Sequence, residues 1–255
     1  MLLAIDIGNS STKFGVFESS SLIDKFAIPT SRDLSVDDLL FDRLKYVNER
    51  FFSIDSAIVC SVVPELNDTF REASQKLLSV TPNFVDHSYD FGLEINYQPV
   101  TSVGIDRLVN ASSAAGKYGS PVMVCSFGTA TTIDFVDPAN VYQGGVIAPG
   151  MKLLADALHT NTSQLPQVPI EPLESVIGKT TEASIKAGVF YGYIGLVDHI
   201  IERMVSEVGS RPKVVSTGGF APMIAGHSSM VDIVDENLTL EGLKGLMETE
   251  VNVRL

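Results

Sequence analysis

Along this chain the apolar residues come in short runs broken by glycine, proline and hydroxyl-bearing residues, the pattern of buried strands punctuated by turns. Residues 2–7 and 12–17 read as two short strands around the polar turn Asp6-Ile7-Gly8-Asn9-Ser10-Ser11, and Phe26–Pro29 reads as a third. Between 36 and 51 the apolar positions Leu39, Leu40, Leu44 and Val47 keep a helical spacing. Ser56–Val63 reads as a buried strand ended by Pro64, residues 65–79 as a helix, Asn83–Val85 as a strand, and 104–118 as a helix opening at Gly104. The pattern then restarts. Pro121–Cys125 leads into the turn Ser126–Thr132 and a strand Ile133–Val136, with a further strand about Gly144–Ile147. Helices are predicted near 150–158 and 180–207, strands at Val214–Ser216 and Ile233–Val234, and a terminal helix over 239–249. Strands followed by helices alternating with strands predict an α/β fold. Leu165–Pro172, rich in proline, reads as a loop that could serve as a lid or face a partner.

The restart is an internal echo. Ala4–Thr12 aligns with Val124–Thr132 at an offset of 120 residues, each a strand, a hydroxyl-rich turn with glycine, and a second strand. Two related halves are therefore expected, 1–118 and 119–255, with a ligand between them.

Composition narrows the classes. The 255 residues allow one large domain or two small ones, and the echo favours two. With 45% hydrophobic and 19% charged residues the chain is globular, and its mean hydropathy of +0.21 is high without any run long enough for a membrane span. A net charge of −13, from 18 basic and 31 acidic residues, argues against nucleic acid or an anionic membrane as partner. Cys60 and Cys125 lie in apolar strand-like runs and read as buried free thiols, and the N-terminal residues lack the basic stretch of a signal peptide. Together these point to the cytoplasm.

Four stretches could carry chemistry. In Asp6–Lys13, a hairpin turn with glycine exposes backbone N–H groups to phosphate oxygens. Its Ser, Thr and Lys side chains add donors, and a strand-end Asp6 can hold Mg²⁺ or its water shell. The turn Ser126–Thr132 offers the same without a carboxylate or lysine, and two such turns can clamp a polyphosphate. At Gly104-Ile105-Asp106-Arg107 a helix start favours anions, Arg107 can take a carboxylate, and Asp106 can accept a proton from a hydroxyl. Ser216-Thr217-Gly218-Gly219 suits either close approach of a flat ligand or a plain strand-to-helix turn. Gly178-Lys179-Thr180-Thr181 is no P-loop, because Leu173 stands where the earlier glycine is required; Thr180 and Thr181 read as caps of the following helix. The four histidines show no metal-ligand spacing.

These motifs, with Gly144-Gly145 and Pro149-Gly150, run in order over essentially the whole chain, and as an ordered set they resemble the type III pantothenate kinases of the acetate and sugar kinase/Hsc70/actin superfamily. The resemblance implies two tandem ribonuclease-H-like (actin-like ATPase) domains with a cleft between them. It also implies ATP-dependent phosphorylation of pantothenate with Mg²⁺, the first step towards coenzyme A, by a homodimer. By position, Asp6, Ile7, Gly8, Asn9, Ser10, Ser11, Thr12 and Lys13 would hold the ATP phosphates and Thr129 would be a second nucleotide contact. Gly104, Ile105, Asp106 and Arg107 would line the pantothenate site, with Asp106 as proton acceptor and Tyr97 and Thr181 as further substrate contacts. One departure stands out. Ser126 occupies the place of the Asp with which the family holds a monovalent cation, K⁺ or NH₄⁺, so weak or absent potassium dependence is expected. Ser126 also leaves room for two other readings: a catalytically weak nucleotide-binding relative acting as an accessory regulator, or a related kinase of a sugar or another small acid.

Overall fold

The computed structural model describes residues 1–42, 44–51 and 54–253. They divide into two compact units, one formed by 1–113 with 237–255 and the other by 114–236. No helix among the described residues is long and apolar enough to cross a membrane.

The first unit opens with β1 (Leu2–Ile7), β2 (Ser11–Glu18) and β3 (Ser21–Pro29), then helical segments α1 (Val36–Asp42) and α2 (Leu44–Arg50), β4 (Ser56–Ser61), α3 (Asn67–Leu78), β5 (Asn83–Phe84) and a two-residue strand β6 (Glu94–Ile95). A single helix was expected over 36–51; residue 43 and the side chains of Leu40 and Leu44 lie outside what is described. The sheet order is β3-β2-β1-β4-β5, with β1, β2 and β3 antiparallel and β1, β4 and β5 parallel. Strand alternation puts Leu3, Ile5, Ile7, Phe14, Val16, Ala57 and Val59 on one face, where they are buried with Leu39, Val47, Phe70 and Ala73. The opposite face carries Asp6, Lys13, Gly15 and Cys60. It is covered by α8 (Leu238–Val253), which packs on β1, β2 and β4.

α4 (Ile105–Tyr118) runs across the division at residue 113. In the second unit it is followed by β7 (Val122–Phe127), β8 (Ala130–Val136), β9 (Val141–Pro149), α5 (Met151–Thr160), α6 (Thr181–Val208), β10 (Lys213–Thr217), a short α7 (Ala221–Ala225) and β11 (Ile233–Val234). The five strands of this unit run β11-β10-β7-β8-β9, antiparallel among β7, β8 and β9 and parallel from β7 through β10 to β11. This is the first unit's topology again: the first strand central, two antiparallel strands to one side and two parallel strands to the other. Met123, Cys125, Phe127, Ile133 and Val214 form its core face with Phe190, Tyr193, Val197 and Ile201 of α6.

Most predicted elements stand with shifted ends; the third strand is longer than expected on its N-terminal side, and α7 was not foreseen. The Leu165–Pro172 loop is irregular, as read from sequence, but it is pinned. Glu171 pairs with Lys186 at 2.7 Å, the Leu173 carbonyl accepts from Tyr191, the Leu165 carbonyl contacts His159 at 2.8 Å, and Val168 is buried. Cys60 and Cys125 are free and fully buried, as expected.

Candidate active site

The first hairpin places a carboxylate and an ammonium side by side. Asp6 is the penultimate residue of β1 and pairs across the ladder with Lys13 of β2. Directly paired residues share a face, and Lys13 Nζ lies 3.8 Å from Asp6 Oδ2. Asp6 is 9% exposed. Its burial, with the nearby Asp106 carboxylate adding to it, pushes its pKa up to about 6 even though Lys13 opposes the shift. Between the strands, Gly8 N–H donates to the Ser11 carbonyl at 3.1 Å, while Asn9 and Ser10 stand exposed at the tip. The turn is tied down from beneath by fully buried Thr12, whose hydroxyl is 2.9 Å from that of Thr30. Cys60 pairs with Asp6 on β4, and burial together with the two carboxylates drives its thiol far up, so it stays neutral.

Asp106 reaches this place because of how α4 begins. The N–H groups of Arg107 and Leu108 donate to the Gly104 carbonyl at 3.0 and 3.3 Å. The Asp106 side chain folds back over residue 104, where a Cβ would sit 2.5 Å from its Oδ1 and would push the carboxylate out of this position. Arg107 was expected to meet a carboxylate in a site. It is buried, 5% exposed, with its guanidinium 5.9 Å from the centre of the half-buried Tyr97 ring. Asp6, Lys13, Tyr97, Asp106 and Arg107 all belong to the first unit.

The second hairpin is built differently. Only three residues separate the last ladder pair, Phe127–Thr131, against four between Ile7 and Thr12. The sequence echo therefore slips: Thr131, not Thr132, is the partner of Thr12, and Thr132 stands where Lys13 stands in the first unit. Gly128, Thr129 and Ala130 are exposed, with the Gly128 N–H donating to the Ala130 carbonyl at 3.1 Å and the Gly150 N–H to the Thr129 carbonyl at 3.0 Å. Beneath the turn, buried Thr131 is hydrogen-bonded to Tyr193 of α6, whose phenol is pushed up to about 12 chiefly by burial. Ser126 is half-buried and pairs with Thr132 on one side and Thr217 on the other, so its cross-strand row holds no charge.

Thr181 is the exposed first residue of α6. The cap is Thr180 alone, whose Oγ1 accepts from the Ala183 N–H at 3.1 Å, while Glu182 pairs with Lys186. Ser126, Thr129 and Thr181 belong to the second unit. Sequence reasoning missed Thr30 and Tyr193, the anchors of the two turns. It also missed Thr217 and Thr132 as the neighbours of Ser126. Strand alternation carried a signal for the last two, since both sit out of phase with the core positions Val214 and Ile133.

The family model described as type III pantothenate kinase matches residues 2–203. The type III pantothenate kinase of Desulfosudis oleivorans is 44% identical over 248 residues, spanning 96% of this chain and 97% of that one. Among solved structures, a candidate 2-dehydro-3-deoxygalactonokinase from Sinorhizobium meliloti superposes with a TM-score of 0.64 at 13% identity, over 98% of this chain and 99% of the other. A candidate Baf family transcriptional activator from Campylobacter jejuni superposes at 0.61 and 21% identity, over 98% and 99%. These structural likenesses establish the fold, two tandem α/β units of the actin-like ATPase and sugar kinase kind.

Proposed function

This chain belongs to the type III pantothenate kinase family, and on that premise we propose how its residues divide the work. The protein is an ATP-dependent kinase acting on pantothenate; its product lies on the way to coenzyme A. The reading is carried by one observation: Asp6 with Lys13 beside it and Asp106 close enough to raise its pKa.

Asp106 accepts the proton of pantothenate's primary hydroxyl as that oxygen attacks the γ-phosphorus and the bond to the β-phosphate oxygen breaks, releasing ADP. Gly104 and Ile105 form the wall that carries it, and Arg107, oriented by Tyr97, meets the substrate's carboxylate or a neighbouring polar group. Thr181 supplies a further substrate contact. The segment from Asp6 through Ile7, Gly8, Asn9, Ser10, Ser11 and Thr12 to Lys13 holds the ATP phosphates, and Thr129 contacts the nucleotide. A divalent cation fits Asp6: a buried carboxylate lifted to about 6 with a second carboxylate nearby is short of positive charge. No cluster of three metal-ligating side chains exists among the described residues, as suits Mg²⁺ held mainly through substrate phosphates and water. When bound, it neutralises charge on the β- and γ-phosphates. Ser126 supplies a neutral oxygen only, so dependence on K⁺ or NH₄⁺ is weak or absent. The buried free thiols support a reducing compartment, the cytoplasm. The exposed apolar residues Leu153, Leu158, Val176 and Ile177 support a homodimer.

The test is direct. Incubated with ATP and Mg²⁺, the protein releases ADP with pantothenate and not with a sugar panel, at similar rates in potassium and sodium buffers. No turnover with pantothenate would sink the assigned activity; a strong potassium requirement would sink the reading of Ser126.

A further inference from the structure

Between β5 and α4 the chain is clasped to itself by a histidine. The base of the clasp is rigid. The Val85 N–H donates to the Val59 carbonyl of β4 at 2.9 Å, and the Asp86 carboxylate accepts from both the N–H and the hydroxyl of Ser88. On this base stands half-buried His87, whose Nε2 lies 2.9 Å from the Val103 carbonyl oxygen. A carbonyl oxygen only accepts, so the ring carries a proton on Nε2. A second tie runs beside the first: the Ser112 hydroxyl of α4 donates to the carbonyl of buried Phe91 at 2.6 Å. All of these residues belong to the first unit.

The loop closed by the clasp, residues 88–102, carries Tyr97. Its far end, Val103, is buried, extended (φ −74°, ψ 131°) and immediately precedes Gly104. The first acceptor inside α4 is the Gly104 carbonyl. The Val103 carbonyl therefore lies outside the helix and needs a partner from elsewhere in the fold. Gly104 sharpens that need. Its missing Cβ lets Asp106 fold back over it, but a glycine also leaves the backbone freest to turn at that point. His87 grips the peptide between Val103 and Gly104 from outside and supplies the restraint that the glycine gives up.

We infer that His87 is a positioning residue for the acceptor side of the reaction: by holding the Val103 carbonyl it fixes the start of α4, and with it the Asp106 carboxylate, and it fixes the base of the loop that presents Tyr97. This rests on the reading of Asp106 as proton acceptor and of Tyr97 as a substrate contact. His87 acts through Val103, and a small displacement of a reacting group costs rate steeply. The Asp6–Lys13 turn is tied down separately, through Thr12 and Thr30, so binding of the phosphate donor is independent of the clasp.

The experiment compares wild type with His87→Ala, which opens the clasp, and His87→Gln, whose terminal amide brings an N–H donor to the same reach as Nε2. Steady-state kinetics with ATP and pantothenate are measured beside melting temperature and amide hydrogen exchange followed by mass spectrometry. His87→Ala is expected to lower kcat/KM for pantothenate roughly five- to twentyfold, with the KM for ATP unchanged and the melting temperature little altered. Exchange should quicken across residues 93–108 and stay as it was in the hairpin of β1 and β2. His87→Gln should restore both the rate and the protection. A kcat/KM for pantothenate within twofold of wild type in His87→Ala, or unchanged exchange across 93–108, would overturn the inference. So would a rise in both KM values with a fall in melting temperature, which marks general loosening, or a failure of His87→Gln to restore, which marks packing of the ring rather than its hydrogen bond. A wild type that leaves pantothenate untouched would defeat the assigned activity, and the exchange comparison would still decide whether His87 holds the start of α4.

Discussion

The two hairpins are the same device with opposite electrical content. Each joins the first of its unit's sheet strands, β1 or β7, to its antiparallel neighbour, each exposes a short polar tip, and each is pinned below by a buried threonine, Thr12 or Thr131. Beside the tip, the first places Asp6 and Lys13 and draws Asp106 near; the second places Ser126, Thr132 and Thr217. Topology fixes where a side chain is presented, and single residues at two ladder positions then decide whether that place gathers charge or only donates hydrogen bonds. The anchors differ too. Thr12 rests on half-buried Thr30, whereas Thr131 rests on Tyr193, which is 1% exposed.

The comparison can be broken or sharpened by substitution. The largest effect belongs to the charged side: Asp106→Asn should lower kcat by roughly 10²- to 10⁴-fold with an unchanged melting temperature, measured by ADP release, and full activity in this variant would remove Asp106 from its role. Next comes pH. With its pKa raised from 3.8 to about 6, native Asp6 holds more protons than the unfolded chain across that window. Its contribution to stability is therefore present at low pH and lost as pH rises through about 6. Activity runs the other way, because the anion is the form that serves a cation: kcat/KM for ATP should fall as pH drops below about 6, and Asp6→Asn should abolish that limb. Converting the neutral hairpin towards the charged one, Ser126→Asp should introduce severalfold stimulation by potassium over sodium; an unchanged salt profile would show that the charge difference between the rows is inconsequential for cations. The smallest effect separates the anchors. Thr131→Val strands the phenol of Tyr193 in the core and should cost about 1–3 kcal/mol. Thr12→Val leaves Thr30 able to reach water and should cost less, both read from denaturant midpoints.

Much of this was legible in the sequence. Short apolar runs broken by turn residues located nearly every strand, and the echo between Asp6–Lys13 and Ser126–Thr132 announced the repeated hairpin. The resemblance to the type III pantothenate kinases, carried by six ordered motifs, is confirmed by the family match and by a close relative. The remainder escaped for physical reasons. A one-residue shortening of a turn is invisible when both turns are strings of Gly, Ser and Thr, so Thr131 and Thr132 could not be told apart before the ladder was known. Tyr193 lies in the middle of a long helix, where an aromatic residue reads as core; that it is core and also braces a turn follows only from tertiary contact. The raised pKa of Asp6 comes first from burial and then from Asp106, 100 positions away in the chain. Which unit claims the terminal helix could not be read from an echo confined to hairpins.

α8 covers the Asp6 face of the first sheet, with Leu240 against Gly15 and Gly242 wedged against Val109 and Ser113. On a ribosome, every strand of the first unit emerges long before this helix does, while residues 114–236, the whole of the second unit, emerge in between. Domains usually mature in the order of synthesis. Here the half made first is the half finished last, and its Asp6 face is covered only after the whole second unit has been made.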